Sequence, residues 1–281
     1  MEIKEFMQEL GLELSKKTDL EFEFKEITKN NNVKLNAVII GEGNIKPTIY
    51  VDDMFRAVES GKRTLEQVVS DLLDTYEENK KPCINVNTEQ FSKEYILEGV
   101  VMDVVNAEMN KDKLQEIPHI PYLDLAIVFY KEIDDTERFL ITNDIMERYQ
   151  LSIDEIKQVA KYPALSIKTM GETLAELTGQ AFVLTDNRDI LVVSSESKVH
   201  GAVHIFNDEM LEELAQEFKD GFYVIPCSIH EILILTQQLG PSANEIIDMI
   251  HQVNETELRA DEVLSNSLYT YDANEKTLKI A

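Results

Sequence analysis

Apolar residues recur at helical spacing over residues 2–15, where Ile3, Phe6, Met7, Leu10 and Leu14 form one stripe on an otherwise charged segment. The pattern then changes period. "LEFEFKEI" alternates apolar and acidic positions, as a half-buried strand does. "VKLNAVII" and "KPTIYV" flank the turn residues "GEGN", so 33–51 reads as a hairpin handing its second strand to a helix at Asp52-Asp53. Leu65, Val68, Val69, Leu72, Leu73 and Tyr76 define the buried face of the next helix. Thr64 and Gln67 have the capping-box spacing at its start, and Pro82 marks its stop. Residues 83–109 are ambiguous, and "YILEGVVMDVV" favours a strand.

Beyond "EIPHIP", "YLDLAIVFYKEI" and "ERFLIT" flank "DDT" as a second hairpin, which leads into "NDIMERYQLS". Ser152 and Glu155 form another capping-box pair, with Leu151 and Ile156 placed as a hydrophobic staple. A helix is expected over 166–178 with Gly179 as a left-handed cap. "DILVVSS" and "HGAVHIF" read as a third hairpin, followed by the helix of Met210, Leu211, Leu214 and Phe218. "FYVIP" reads as a strand, "PSANEIIDMIHQV" as a helix and the tail as a last hairpin. Asp52-Asp53, Asn143-Asp144 and Asn207-Asp208 recur at strand-to-helix junctions, and we read them as helix starts: a capping oxygen plus an acid at the positive helix end. The class expected is α+β, with antiparallel sheets built from repeated hairpin-then-helix units and helices packed on them. The proline-bearing connector divides the chain into a part spanning 1–112 and a part spanning 113–281, which can also pack as one continuous domain.

Charge changes the functional picture more than the fold. In 281 residues, 53 Asp and Glu oppose 27 Lys and Arg, a formal net charge of −26. Such a surface repels phosphate backbones and disfavours direct nucleic-acid binding. It suits a basic protein partner. Cys83 and Cys227 are far apart and form no CxxC pair, which fits a reducing compartment. The acidic N-terminus does not resemble a signal peptide, and "LAIVFY" is too short to cross a bilayer, so the expected location is cytoplasmic and away from membranes.

No complete phosphate-binding, dinucleotide, HExxH or calcium-loop pattern occurs, and no cofactor or metal is expected. "PCSIHE" gathers Cys227, Ser228, His230 and Glu231. Cys227 and His230 make at most half a zinc site or an unaccompanied thiol–imidazole pair. Asp124 lies inside an apolar run, where a carboxylate needs partners, and His119 is one across the prolines. His200 and His204, placed on a strand, stand about 13 Å apart and cannot share a metal.

"IPHIPYLDLAIVFY", "FYVIPCSIHEILIL" and "VNETELRADEVLSNSLYTYD" together resemble a bacterial family catalogued as a domain of unknown function, number 5688 in that series, over nearly the whole chain. The family's middle segment typically reads Ser-Ser-Ile-His-Glu. Here Cys227 replaces the first serine, which weakens a nucleophilic role for it. The resemblance implies no activity, cofactor or partner. These features lead to a cytosolic, non-catalytic, acidic interaction protein. The alternative is a hydrolase-like enzyme using His230 with Asp124 or Glu231, with Ser228 and His119 as further candidates.

Overall fold

The structure is a computed structural model describing residues 2–42, 46–80, 91–133, 137–180, 189–219, 221–237 and 241–281. Cys83, the Pro82 stop and the tips of the first two predicted hairpins (43–44 and 134–136) lie outside the described residues. The chain divides into two compact units, one of residues 1–29 with 33–91, the other of residues 30–32 with 92–281.

In the first unit, β1 (Phe22–Thr28), β2 (Lys34–Ile40) and β3 (Thr48–Tyr50) form an antiparallel sheet in that order. Val38 faces Ile49 across the predicted hairpin. Helices α1 (Ile3–Lys17), α2 (Asp52–Glu59) and α3 (Leu65–Asn79) complete the unit. The α1 stripe delivers Phe6, Leu10 and Leu14 into a core with Val38, Ile40, Val69 and Leu72, all inaccessible to solvent. Each such side chain contributes about 1.5–3 kcal/mol by leaving water. The Thr64–Gln67 capping box closes the start of α3 as expected.

In the second unit, after α4 (Lys93–Leu97), β4 (Val100–Asn106) enters a four-stranded sheet. Helix α5 (Lys111–Leu114) follows, then β5 (His119–Tyr122), β6 (Leu125–Glu132) and β7 (Arg138–Leu140); β6 pairs with all three other strands. The Pro118 and Pro121 stretch thus runs from α5 into β5 within this sheet. Helices α6 (Asn143–Arg148) and α7 (Ile153–Val159) lead to a second, six-stranded sheet. Its strands are β8 (Leu165–Thr169), β9 (Ile190–Ser195), β10 (Phe222–Ile225), β11 (Glu231–Thr236), β12 (Tyr269–Asp272) and β13 (Thr277–Ile280), in the order β13-β12-β10-β11-β9-β8. Helix α8 (Met170–Thr178) follows β8, α9 (Asp208–Glu217) precedes β10, and α10 (Ala243–Thr256) follows β11. Val104 and Leu125 of one sheet share a core with Val193, Val224 and Ile234 of the other. Three antiparallel sheets carrying helices make the described chain α+β.

The first two hairpins hand their second strand to a helix as expected. The third does not. "GAVHIF", Gly201–Phe206, is a fully buried 3-10 turn, and β9 pairs with β8 and β11 instead. All six residues of the turn are enclosed. Gly201 permits this by lying against the β9 backbone, where an added Cβ would sit 2.2 Å from Ser195 N. Residues 166–169, read as helix, belong to β8, and α8 begins only at Met170, behind a Thr169–Glu172 capping box.

The Asx junctions divide. Asn207 accepts from the Met210 N–H, a true cap. At α6 the cap is Thr142, whose Oγ1 takes the Ile145 N–H, while Asn143 donates to the Gln115 carbonyl. Asp52 accepts from both the backbone and side-chain nitrogens of Asn36, so it braces a strand rather than capping α2.

Candidate functional site

Asp103 stands at the middle of β4 among Val100, Val101, Val104 and Val105, and is 3% exposed. A carboxylate so placed requires partners. Its Oδ1 accepts the Val104 N–H at 2.8 Å and its Oδ2 accepts from Arg138 Nη2 at 2.7 Å. Arg138 opens β7, and its guanidinium lies 3.9 Å over the Tyr130 ring. His200 Nδ1 approaches the same Oδ2 at 2.9 Å, off the line of a straight hydrogen bond, so the contact is primarily electrostatic. Burial pushes the Asp103 carboxyl up, but His200 and Arg138 outweigh burial and hold it below the usual carboxylate range. Burial, with the Asp103 charge, pushes Tyr130 up to about 12.

His200 adopts φ 57, ψ 26, left-handed backbone that is uncommon for a residue with a side chain. That turn aims its N–H at His230 Nδ1, 3.1 Å away, and the two rings meet edge to face with centroids 5.3 Å apart. His230 precedes β11 and is tightly held. Its carbonyl accepts from Ser194 Oγ at 2.8 Å and from the Gly201 N–H at 3.0 Å, and its own N–H donates to Ser228 Oγ at 3.0 Å. His230 Nε2 is 3.9 Å from a Glu262 carboxylate oxygen. Burial and the neighbouring His200 push the His230 pKa below the ordinary imidazole value, partly offset by Glu262, Asp103 and Asp261. The imidazoles of His200 and His230 are about 30% exposed, so they reach solvent while Asp103 behind them does not.

These positions dictate complementary chemistry. An imidazole that accepts at Nδ1 carries its proton, when neutral, on Nε2, which makes His230 Nε2–H a donor. Asp103 favours the proton of His200 on Nδ1, leaving Nε2 as an acceptor. One ring can take a proton while the other donates a hydrogen bond.

The residues singled out from sequence are distributed differently. His230 and Ser228 belong to this cluster, Ser228 through the backbone. Glu231 is the next residue along a strand, where alternation turns it to the other face, and burial raises its pKa. Asp124 accepts from Ser265 Oγ at 2.5 Å, Ser267 Oγ at 3.1 Å and Tyr269 Oη at 2.7 Å, tying the β5–β6 turn to the segment entering β12. His119 lies on β5, opposite the same Val128 that Asp103 faces, two strand spacings or roughly 10 Å from it. Its Nδ1 lies 3.1 Å from the Ile117 carbonyl. Burial pushes the Cys227 thiol up to about 12, opposite to the lowered pKa of a nucleophilic thiolate. His204 is 1% exposed and stacked on Tyr162, and burial lowers it to about 4.

Sequence reasoning passed over Asp103, Arg138, His200 and Glu262 as site residues. A signal existed for Asp103: "GVVMDVVN" embeds a carboxylate in an apolar run as clearly as the stretch around Asp124 does.

Among the described residues, no group of three or more His, Cys, Asp or Glu is arranged to hold a metal ion, and no helix is long and apolar enough to cross a membrane. No curated protein and no solved structure matches the chain. A family model described as a family of unknown function (DUF5688) matches residues 3–273, and the chain belongs to that family.

Proposed function

We propose that the second unit is a hydrolase-like enzyme that moves protons through a pair of histidines. The observation that carries this reading is the buried Asp103 carboxylate 2.9 Å behind the part-exposed His200 imidazole. His200 Nε2 takes a proton from water as the water oxygen bonds to a substrate carbonyl carbon. The carbonyl oxygen, gaining negative charge, receives a hydrogen bond from His230 Nε2–H. The proton held on His200 then passes to the leaving group as its bond to carbon breaks. Asp103 stabilises the imidazolium between these steps, and Arg138 keeps Asp103 ionised and oriented. Composition alone ranks a non-catalytic protein that docks a basic partner above an enzyme. The buried Asp103 carboxylate beside two part-exposed imidazoles is what supports the enzyme reading.

Hydrolysis of p-nitrophenyl acetate by the full chain tests the reading. His200→Asn keeps a residue tolerant of left-handed backbone. It is expected to lower the rate about 100-fold, the usual lower bound for losing a general base. His251→Asn, on the exposed side of α10, is expected to leave the rate unchanged. Equal rates for wild type and His200→Asn sink the reading.

A further inference from the structure

We infer that this site takes a substrate bearing an ammonium or guanidinium group beside its reacting carbonyl, and that Glu262 selects it. The inference rests on the proton-transfer reading for the identity of the site, and on a separate observation for the charge it selects.

That observation is the pairing of charges around His230. Three carboxylates act on its ring, those of Glu262, Asp103 and Asp261. Two guanidiniums are nearby, and each is committed elsewhere. Arg138 is bound to Asp103 at 2.7 Å. Arg259 forks onto Asp261 through Nε and Nη2, both at 3.2 Å. Glu262 is left with only long contacts, 3.9 Å to Arg259 Nε and 3.9 Å to His230 Nε2, beyond hydrogen-bonding distance. Glu262 therefore has charged neighbours within 4 Å but, among the described residues, no hydrogen-bonded cation beside the proposed hydrogen-bond donor.

The carboxylate is also well placed for a ligand. The Glu262 backbone is fixed at both ends, its N–H donating to the Arg259 carbonyl at 2.8 Å and its carbonyl accepting the Ile229 N–H at 2.9 Å. Its side chain is 29% exposed, about as open as the His230 ring at 28%, so both can meet the same ligand. A cation bonded there completes the charge balance and brings a neighbouring carbonyl to His230 Nε2. A phosphate or carboxylate substrate meets repulsion from the same group. The net charge of −26 acts in the same direction at longer range by concentrating cations near the surface.

Three small amides of different charge separate the possibilities: glycinamide (cationic), N-acetylglycinamide (neutral) and succinamate (anionic). Each is titrated into the full chain while the ring resonances of His200 and His230 are followed by NMR. Glycinamide is expected to shift the His230 resonance saturably and more tightly than the other two. Glu262→Gln is expected to weaken its binding about tenfold, the scale of one charge-assisted hydrogen bond. Added salt is expected to weaken it as well. Equal responses to glycinamide and N-acetylglycinamide, or unchanged glycinamide binding in Glu262→Gln, overturn the inference. Failures of the two readings are distinguishable. If glycinamide binding depends on Glu262 while ester hydrolysis ignores His200→Asn, charge selection stands and the catalytic reading falls. If hydrolysis requires His200 while neutral and cationic amides bind alike, the catalytic reading stands and selection falls.

Discussion

Asp103→Asn is expected to destabilise the second unit by about 3 kcal/mol, the low end for breaking a buried ion pair from one side. The amide keeps an oxygen for the Val104 N–H but presents NH2 where Arg138 Nη2 and His200 Nδ1 need an acceptor. Two donors then face a third across a site that is 3% exposed. The effect is not larger because Arg138 and His200 are partly exposed and can recover some hydration. Native-state hydrogen exchange of the β4, β9 and β11 amides reads this unit specifically. The same measurement on Arg138→Gln and on the double variant reports the coupling, and the double variant should cost clearly less than the two single changes added. A single Asp103→Asn variant within 0.5 kcal/mol of wild type contradicts a role for this carboxylate as the cluster's anchor.

Gly201→Ala is expected to cost a similar amount, about 3 kcal/mol, by a steric route. An added Cβ would stand 2.2 Å from Ser195 N, 2.4 Å from Ser194 C and 2.5 Å from Ser194 Cα. Those are main-chain atoms of β9, which is paired on both sides by β8 and β11, so nothing in the path can rotate away. Relief requires shifting residues 200–206, which would lengthen the His200 N–H bond to His230 and the Gly201 N–H bond to the His230 carbonyl. Gly179→Ala supplies the contrast. Gly179 has φ +69 but no atom within 4 Å of a new Cβ, so it should lose only about 1 kcal/mol of left-handed backbone preference. The ordering is checked by the urea dependence of far-ultraviolet circular dichroism. Equal costs for the two substitutions would mean that backbone conformation alone, rather than close packing on β9, governs the Gly201 position.

What the sequence revealed was mostly local. The α1 stripe, the Thr64 and Ser152 capping boxes, the first two strand pairs and the Gly179 cap depend on residues near one another in the chain, and the chain forms them where the pattern indicates. The Leu165–Thr169 strand did not show because its short pattern runs straight into a helix with the same apolar residues. "GAVHIF" deceived for a different reason: an apolar run looks alike whether it is a central strand or a turn enclosed on all sides. His230 was found because it lies in a chemistry-rich hexapeptide. Its partners were not, since Asp103, Arg138, His200 and Glu262 arrive from four separated parts of the chain and only β4, β7, the 3-10 turn and the segment after α10 bring them together. Asp124 illustrates the limit of the buried-acid argument. Its carboxylate does have partners, but they are the hydroxyls of Ser265, Ser267 and Tyr269, a structural clasp.

The proposed chemistry requires opposite tautomers on two adjacent imidazoles, set by Asp103 and the His200 backbone. Ring nitrogen chemical shifts of His200 and His230, measured by NMR on the full chain at a pH where both are neutral, test it most directly. The expected result is the proton on Nδ1 of His200, facing Asp103, and on Nε2 of His230, whose Nδ1 accepts from the His200 backbone. His200 carrying its proton on Nε2, or His230 on Nδ1, would contradict it.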